Sequence, residues 1–396
     1  MQMVENPAAR TLPPYTLHEV LSRDAAAAAH GMIAACPRYA VTPLRPLRRV
    51  AASCGVGAVW YKDESSRFGL GSFKALGGAY AVARLLQRLL SAQLRQPVAV
   101  GDLVDGTLRD ATQLITVTCA TDGNHGRAVA AGARHFGCRC VIFLPATVSA
   151  GREAAIRAFG ADIMRIDGNY DAAVRAAAAT AAERGWQVVS DTSWPGYAAV
   201  PRDVMQGYTV MLIETLAQLR STGARLPTHL FVQGGVGAVA AAACAMLWEE
   251  LGPAAPVTVV VEPERADCLF QSARAGRPVP ASGDLSTVMA GLACGEVSQE
   301  AWRILRQGAR FFVTIADAPA VAAMRLLAAH EDGPIVAGES ATAGLAALIA
   351  AAEDAALRRR LELTADSVIL LLGTEGATDP ALYRALVGEP AVAGEA

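Results

Sequence analysis

The order of short and long apolar segments limits the fold of this chain more than any other feature of its sequence. From about residue 110 onward, short runs rich in β-branched residues alternate with longer alanine-rich stretches. Such alternation predicts an α/β fold with mostly parallel sheets that carry helices on both faces. The candidate strands are Leu114–Cys119, Cys140–Leu144, Asp162–Ile166, Gln187–Ser190, Leu230–Gln233, Val257–Glu262, Phe311–Ile315 and Val368–Leu372. The candidate helices are Gly126–Phe136, Ala150–Phe159, Tyr170–Arg184, Asp203–Leu219, Ala238–Glu250, Ala318–His330 and Ala341–Ala352.

The overall composition restricts the partners of the chain. A formal net charge of −2 and the lack of a basic tract argue against nucleic acid and anionic membranes as partners. The N-terminus lacks the basic start and apolar core of a signal peptide. The eight cysteines form no CxxC pair and favour free thiols in a reducing cytosol, although a Cys268–Cys294 bridge is conceivable. We therefore expect a cytoplasmic protein without a membrane segment that acts on a small molecule.

Lysine is almost absent from this chain. Of the 35 Lys and Arg residues, only Lys62 and Lys74 are lysines. Compositional drift toward arginine is one explanation of this scarcity. Arginine cannot replace lysine, however, where an amine must lose its proton and attack a carbonyl, because guanidinium stays charged. We interpret Lys62, in a Lys-Asp-Glu-Ser run beside a strand, as a structural ion-pair partner, and Lys74 as the candidate for chemistry.

The segment around Lys74 supports a chemical role for this lysine. Glycines and Ser72 precede it, and Phe73 to Leu90 is a predicted helix. Lys74 would then lie in the first turn, where the helix dipole disfavours ammonium and should lower the lysine pKa. This is the profile of a residue that forms a Schiff base, but an exposed lysine at a helix start fits the same pattern.

A second motif, Thr121-Asp122-Gly123-Asn124-His125-Gly126, lies between a predicted strand and a predicted helix. Ligands bind at this place in open α/β sheets. The amides at the helix start can hold a carboxylate, and the Asn124 side chain can hydrogen-bond a ring hydroxyl. Asp122 can also be explained as an ordinary helix cap, and His125 as a packing residue.

A third motif, Gln233-Gly234-Gly235-Val236-Gly237, again follows a strand and precedes a helix. Successive backbone N–H groups in such a turn form an anion nest suited to a phosphate. The glycine spacing also fits a dinucleotide fingerprint, and Glu262 after the next strand resembles the acid that binds a ribose. An NAD-dependent oxidoreductase is therefore an alternative of a different class.

The three motifs occur in the order found in the fold-type II pyridoxal phosphate enzymes, the group of tryptophan synthase β and threonine dehydratase, and the chain resembles this group. The resemblance implies two three-layer α/β domains with the active site between them. Residues 1–86 and 196–396 would form a large cofactor-binding domain, and residues 87–195 a smaller domain that carries the Asn124 loop. The irregular stretch Leu85–Gln113 is a plausible connection between the two.

The resemblance also implies roles for individual residues around bound pyridoxal 5′-phosphate. Lys74 would carry the cofactor as a Schiff base, and Asn124 would bind the 3′-oxygen of its ring. The phosphate would lie on the glycine loop, and the Thr374 hydroxyl would face the pyridine nitrogen, a neutral pairing that favours elimination over transamination. The predicted cofactor-binding residues are Phe73, Lys74, Asn124, Gly234, Gly235, Val236, Gly237 and Thr374.

Within this group the chain is most similar to the diaminopropionate ammonia-lyases. The similarity includes Tyr61-Lys62-Asp63-Glu64-Ser65, Asp191-Thr192-Ser193-Trp194, Met205-Gln206-Gly207-Tyr208 and Thr374-Glu375-Gly376. It implies elimination of ammonia from 2,3-diaminopropionate, giving pyruvate and two ammonia, by a homodimer. The negative charge of Asp122 and Asp191 would suit the second ammonium of the substrate, although Asp191 can also be explained as a turn cap.

In the implied mechanism, Lys74 takes the Cα proton from one face and Asp122 from the other, so that both enantiomers react, while Asp191 helps ammonia to leave. The predicted substrate-binding residues are Thr121, Asp122, Gly123, His125 and Asp191. We predict no metal site, although Glu339 stands where related dehydratases line a cation site. A threonine/serine dehydratase or a β-replacing synthase of the same fold remains an alternative.

Overall fold

The computed structural model describes residues 1–121, 123–330 and 333–388, so Asp122 lies outside the described residues. The strands are β1 (Gln2–Glu5), β2 (Leu44–Pro46), β3 (Ala58–Asp63), β4 (Thr116–Ala120), β5 (Arg139–Pro145), β6 (Asp162–Ile166), β7 (Gln187–Val188), β8 (His229–Gln233), β9 (Val257–Pro263), β10 (Ala309–Ile315) and β11 (Val368–Gly373).

The helices alternate with these strands along the chain. They are α1 (Arg23–Ala34), α2 (Arg48–Cys54), α3 (Lys74–Leu94), α4 (Val100–Val104), α5 (Arg109–Thr112), α6 (Asn124–Phe136), α7 (Ala150–Arg157), α8 (Tyr170–Arg184), α9 (Ala199–Ser221), α10 (Ala238–Leu251), α11 (Cys268–Ala275), α12 (Gln299–Gly308), α13 (Asp317–Ala328), α14 (Ala343–Glu353), α15 (Ala355–Arg360) and α16 (Pro380–Val387).

The strands form two sheets. The larger has the order β1-β10-β9-β8-β11-β3-β2, and the smaller has the order β6-β5-β4-β7. Every pairing is parallel except those of the edge strands β1 and β2, which are antiparallel to β10 and β3. The predicted α/β fold with mostly parallel sheets is therefore confirmed.

Helices cover both faces of the larger sheet. Along β11, Leu370 and Leu372 belong to one apolar core, whereas Ile369 and Leu371 belong to a second core on the opposite face. Because successive side chains of a strand point to opposite faces, both faces are buried, and the architecture has three layers. The smaller sheet repeats this arrangement with α6 on one face and α8 on the other.

The part of the chain before residue 114 differs most from the sequence prediction. The helix predicted from Phe73 to Leu90 is α3, which continues to Leu94 into the stretch expected to be irregular, and Leu85, Leu86 and Leu90 belong to its buried face. The larger sheet contains strands that precede residue 86 and follow residue 195, and the smaller sheet lies between them. The domain boundaries themselves stay predictions. Among the described residues, no helix has the length and apolar character needed to cross a membrane.

Candidate active site

The strand order brings the sequence motifs together at one edge of each sheet. In the larger sheet β8, β11 and β3 are neighbours, so the glycine loop after β8, Thr374 after β11 and the segment that leads from β3 to Lys74 lie side by side. In the smaller sheet β4 and β7 are neighbours, which places Asn124 and Asp191 close together. Both sets line one cleft.

Most of the predicted site residues that the structure describes line this cleft. They are Phe73, Lys74, Thr121, Gly123, Asn124, His125, Asp191, Gly234, Gly235, Val236 and Thr374. Gly237 does not line it, because it lies behind the loop against Ala301, Leu269 and Leu305. The structure places these residues around one cleft, while their membership of a functional site and their individual roles stay predictions.

Lys74 is the first residue of α3, and its Nζ donates a hydrogen bond to Asp191 Oδ2. The lysine side chain is 19% exposed and that of Asp191 only 5%. Burial alone would lower the pKa of Lys74, but the charge of Asp191 outweighs burial and raises it. The expectation that the helix dipole lowers the pKa of this lysine is therefore wrong, because a directly bonded carboxylate acts more strongly than a helix end.

Asp191 is a buried carboxylate with several partners and not a helix cap, since α9 begins only at Ala199. Burial would raise the pKa of Asp191, but Lys74, the nearby His125 and a hydrogen bond from Tyr170 hold it well below its usual range. Tyr170 Oη donates to Asp191 Oδ1 over 3.1 Å. Asp191 therefore stays ionised and offers a fixed negative charge at the cleft.

His125 is buried, which lowers the pKa of its imidazole. Its Nε2 lies 2.8 Å from the carbonyl oxygen of Val189, so the neutral ring must carry its proton on Nε2. The other nitrogen, Nδ1, has no hydrogen-bond partner among the described residues. The ring therefore presents a lone pair inside the protein, close to Asp191.

The loop between β4 and α6 is shaped by Thr121. Its Oγ1 accepts hydrogen bonds from the backbone N of Gly123 (2.9 Å) and of Gly126 (3.0 Å). Gly123 has φ +146°, a conformation that side chains disfavour. Asn124 begins α6, and its Nδ2 donates to Glu375 Oε2. The predicted substrate ligand and base Asp122 lies outside the described residues.

The glycine loop has the form of a phosphate cradle. Gly235 has φ +59° and Gly237 has φ +99°, and α10 begins at the next residue, so backbone N–H groups of the loop and of the helix start can converge on an anion. A Cβ at Gly234 would lie 2.6 Å from Glu262 Cγ. The backbone donors of the loop suit a phosphate and the amine of Lys74 suits an aldehyde, so these residues fit pyridoxal phosphate.

Thr374 connects the lysine segment to the glycine loop. Its carbonyl oxygen accepts from the backbone N of Phe73 at 3.0 Å, and its Oγ1 accepts from Gln233 Nε2 at 3.3 Å. Both bonds join segments that follow neighbouring strands. The Thr374 hydroxyl is therefore held at the cleft, as the prediction for a ring-nitrogen partner requires.

The position and the hydrogen bonds of Glu262 argue against dinucleotide binding. This carboxylate is fully buried and accepts hydrogen bonds from the backbone N of Leu269 (3.0 Å) and Phe270 (2.7 Å), at the start of α11. It lies behind the glycine loop, so it cannot reach a ribose in front of it. Burial raises the pKa of Glu262 to about 8.

Several site residues were missed by the sequence analysis. Arg152 of α7 lines the cleft and pairs with Glu339 at 2.6 Å, and Glu375 faces Asn124. Burial and the neighbouring Glu375 raise the pKa of Glu339 to about 7, and Arg152 offsets part of this effect. Tyr170 begins α8 after a strand end, a position that could have indicated it. No cluster suited to a metal ion occurs among the described residues.

Comparison with known proteins agrees with this site. The family described as pyridoxal-phosphate dependent enzymes matches residues 36–374. The diaminopropionate ammonia-lyase of Salmonella typhimurium is 39% identical over 359 residues, 89% of each chain. The Escherichia coli K12 enzyme of the same name is 40% identical over 357 residues, covering 89% of this chain and 88% of the relative.

Solved structures extend the similarity to the whole fold. The E. coli diaminopropionate ammonia-lyase in complex with an aminoacrylate-PLP azomethine reaction intermediate superposes with a TM-score of 0.86 at 36% identity, over 98% of this chain and 96% of that one. Maize serine racemase, at 19% identity and a TM-score of 0.70 over 92% and 96% of the chains, shares the fold. The family match decides against the dinucleotide alternative. The chain therefore belongs to the pyridoxal-phosphate dependent enzyme family and groups within it with the diaminopropionate ammonia-lyases.

Proposed function

We propose that this protein eliminates ammonia from 2,3-diaminopropionate with pyridoxal phosphate as cofactor, giving pyruvate and two ammonia. One observation carries the choice of substrate: the ionised carboxylate of Asp191 lies in the cleft next to Lys74. A 2,3-diamino acid brings a second ammonium, which needs a negative partner in a buried site. Serine and threonine carry a neutral hydroxyl at the same position and gain little from this charge.

The roles proposed for the side chains are those that the resemblance to the family implies. Bound pyridoxal phosphate would supply the electron sink for the carbon that loses its proton. Lys74 holds the cofactor and, once released, takes the Cα proton from one face of the substrate. Asp122 takes it from the other face when the opposite enantiomer is bound. Asn124 and Thr374 orient the ring, and the Gly234–Gly237 loop holds the phosphate.

Asp191 acts here as an ammonium partner, which modifies the expectation that it helps the leaving group by donating a proton. Its pKa lies well below the usual range, so it has no proton to give near neutral pH. The substrate β-nitrogen binds as an ammonium and departs as NH₃ with the C–N electron pair, while the Cα–H pair forms the C=C bond. The released enamine hydrolyses with water to pyruvate and the second ammonia.

The substrate ammonium and Lys74 Nζ compete for the same carboxylate. Asp191 raises the pKa of Lys74 in the structure, because the two groups are directly bonded. When the substrate ammonium takes this position, Lys74 loses the charge that keeps it protonated. Substrate binding therefore favours the neutral amine at the step that needs a base.

Pyruvate release measured with 2,3-diaminopropionate, serine and threonine tests the proposal. We expect the diamino acid to give the largest kcat/KM. Asp191→Asn should lower kcat/KM for the diamino acid by about 100-fold, which corresponds to the loss of a buried charge-assisted contact of about 3 kcal/mol. Activity with serine should change much less. Asp167→Asn is the matched control, because it removes an exposed carboxylate that follows β6 of the smaller sheet. Equal losses with serine and with the diamino acid would contradict the assignment.

We also propose that the protein is a homodimer in the cytoplasm. The family resemblance supports the dimer, and light scattering of the purified protein tests it. All eight cysteines lie among the described residues and none of them forms a disulfide, which supports a reducing compartment. The conceivable Cys268–Cys294 bridge is likewise not formed.

A further inference from the structure

Tyr208 of α9 is a fully buried residue to which the proposed mechanism gives no role. Its hydroxyl has no hydrogen-bond partner among the described residues. A buried hydroxyl without a partner costs about 1–3 kcal/mol, so its retention needs a physical explanation. Burial raises the pKa of Tyr208, and the charge and the hydrogen-bonding influence of the adjacent Lys74 oppose this effect. The phenol therefore stays protonated and can both donate and accept a hydrogen bond.

The contact between α9 and α3 is built to bring this ring close to Lys74. A Cβ at Gly77 would overlap Tyr208 Cε1, and a Cβ at Gly207 would lie 2.5 Å from the carbonyl oxygen of Leu76. Only glycine permits so close an approach of the two helices at these positions. The Tyr208 ring consequently packs over the first turn of α3, which carries Lys74.

The surroundings of Lys74 Nζ complete the geometry. Nζ lies 5.7 Å from the centroid of the Tyr208 ring and 5.3 Å from that of Phe73, and the two ring centroids are 4.6 Å apart. Asp191, which follows β7 of the smaller sheet, accepts a hydrogen bond from Nζ. The amine therefore lies between a carboxylate that holds it in this structure and a phenol hydroxyl that has no other partner among the described residues.

We propose that Tyr208 is a positioning residue for Lys74, whose hydroxyl receives Nζ when the amine leaves Asp191. The step rests on the proposed function, since it is the substrate ammonium that displaces Nζ from the carboxylate. The hydroxyl accepts a hydrogen bond from the ammonium and donates one to the neutral amine. It thereby keeps the nitrogen aimed at the substrate in both protonation states. Tyr208 does not line the cleft and acts only through Lys74.

The scarcity of lysine makes a direct test possible. In the cofactor-free full-length protein, acetic anhydride labels amines, and the only lysines of the chain are Lys62, which is fully buried, and Lys74. The labelling rate of Lys74 against pH, read by mass spectrometry of its peptide, gives its pKa without substrate or turnover. The titratable groups around Lys74 are Asp191, His125, Tyr208, Cys119 and Cys294. The measurement is made for wild type and Tyr208→Phe, each with and without Asp191→Asn, and for Tyr80→Phe as a buried control on α3.

We expect Tyr208→Phe to lower the pKa of Lys74 by about one unit, because a bond to the charged amine is stronger than one to the neutral amine. The shift should be larger in the Asp191→Asn background, where Tyr208 is the remaining partner, and Tyr80→Phe should leave the profile unchanged. The proposal would be overturned if Tyr208→Phe left the labelling profile of Lys74 unchanged both in the wild-type background and in the Asp191→Asn background.

Stability and kinetics separate this role from a structural one. Because the hydroxyl has no structural partner, Tyr208→Phe should not lower Tm, and a fall of several degrees would contradict the inference. In the cofactor-loaded enzyme, Tyr208→Phe should lower kcat about tenfold and leave KM unchanged, since only the orientation of the Lys74 amine toward the substrate is lost. The labelling result is independent of the substrate, so it stands or falls separately from the diaminopropionate assignment.

Discussion

A buried ion cluster on the segment that leads to Lys74 allows a quantitative prediction for Glu214→Gln. The cluster joins Lys62, Arg67, Glu64 and Glu214, whose side chains are at most 1% exposed. Glu214 accepts from Lys62 Nζ at 2.6 Å and from Arg67 Nη2 at 2.8 Å. It lies on α9, whereas both cations belong to the segment that runs from β3 to Lys74. The cluster therefore fixes α9 against the segment that leads to the active-site lysine.

The pKa of Glu214 gives the size of the contribution that its ionised carboxylate makes to the free energy of unfolding. Burial would raise it, but the bonds and charges of Arg67 and Lys62 lower it from 4.5 to about 2. A depression of this size corresponds to about 3 kcal/mol of stability, at roughly 1.4 kcal/mol per pH unit. Because the folded-state pKa is the lower one, this contribution is fully present above about pH 4.5. It is lost as the pH falls toward 2.

Urea unfolding followed by circular dichroism tests this prediction. Glu214→Gln should lower the free energy of unfolding by about 3 kcal/mol at pH 7 and at pH 5, and by only about 1 kcal/mol at pH 3, where this carboxylate is already protonated in the unfolded chain. Glu296→Gln is the matched control, because this side chain is 65% exposed and pairs only with an exposed arginine, so its loss should cost less than about 0.5 kcal/mol. A loss below about 1 kcal/mol at pH 7, or one independent of pH, would refute the reasoning.

Three further variants probe the site directly. Lys74→Ala should leave no covalently attached pyridoxyl group after borohydride reduction, as read by intact mass, whereas wild type should carry one. Gly235→Ala forces a side chain into a backbone conformation with φ +59° and should weaken cofactor binding about tenfold in an absorbance titration. Gly223 has a similar φ of +65° but lies in open space, so Gly223→Ala should leave the affinity for the cofactor unchanged. Tyr170→Phe removes a hydrogen bond to Asp191. It should raise KM for diaminopropionate about tenfold and change KM for serine little. Equal effects on the two substrates would count against the role of Asp191.

The core of the fold was predictable because it follows from local patterns. Strands β4 to β11 are apolar runs separated by helices, and each was predicted to within a few residues. The candidate strands begin at residue 114, so β3 was noted only as a strand beside Lys62. Strands β1 and β2 were missed because they are short antiparallel edge strands with little buried surface. Their pairing with β10 and β3 depends on residues far away in the chain, which no local pattern reveals.

The site was predictable where a motif lies at a strand end. The Lys74, Asn124 and Gly234 segments were found in this way, because parallel strands present their carboxyl ends at one edge of a sheet. Arg152 reaches the cleft from the first turn of α7, and Glu375 from the loop directly after β11, but no role was assigned to either residue from the sequence. The wrong direction for the pKa of Lys74 has the same origin: a helix start can be read from sequence, but a carboxylate 117 residues away cannot.

The two lysines remain in this arginine-rich chain for different physical reasons. Lys62 Nζ is fully buried and directs its three N–H groups to the Thr42 carbonyl, Glu214 and Gln218, at 2.6–3.0 Å. A compact ammonium suits these three directions, whereas a planar guanidinium is larger and has its donors in one plane. Lys74 has to lose a proton, which a guanidinium does not do. Scarcity therefore indicated both positions where arginine fails, but only the contacts of each amine separate the structural lysine from the chemical one.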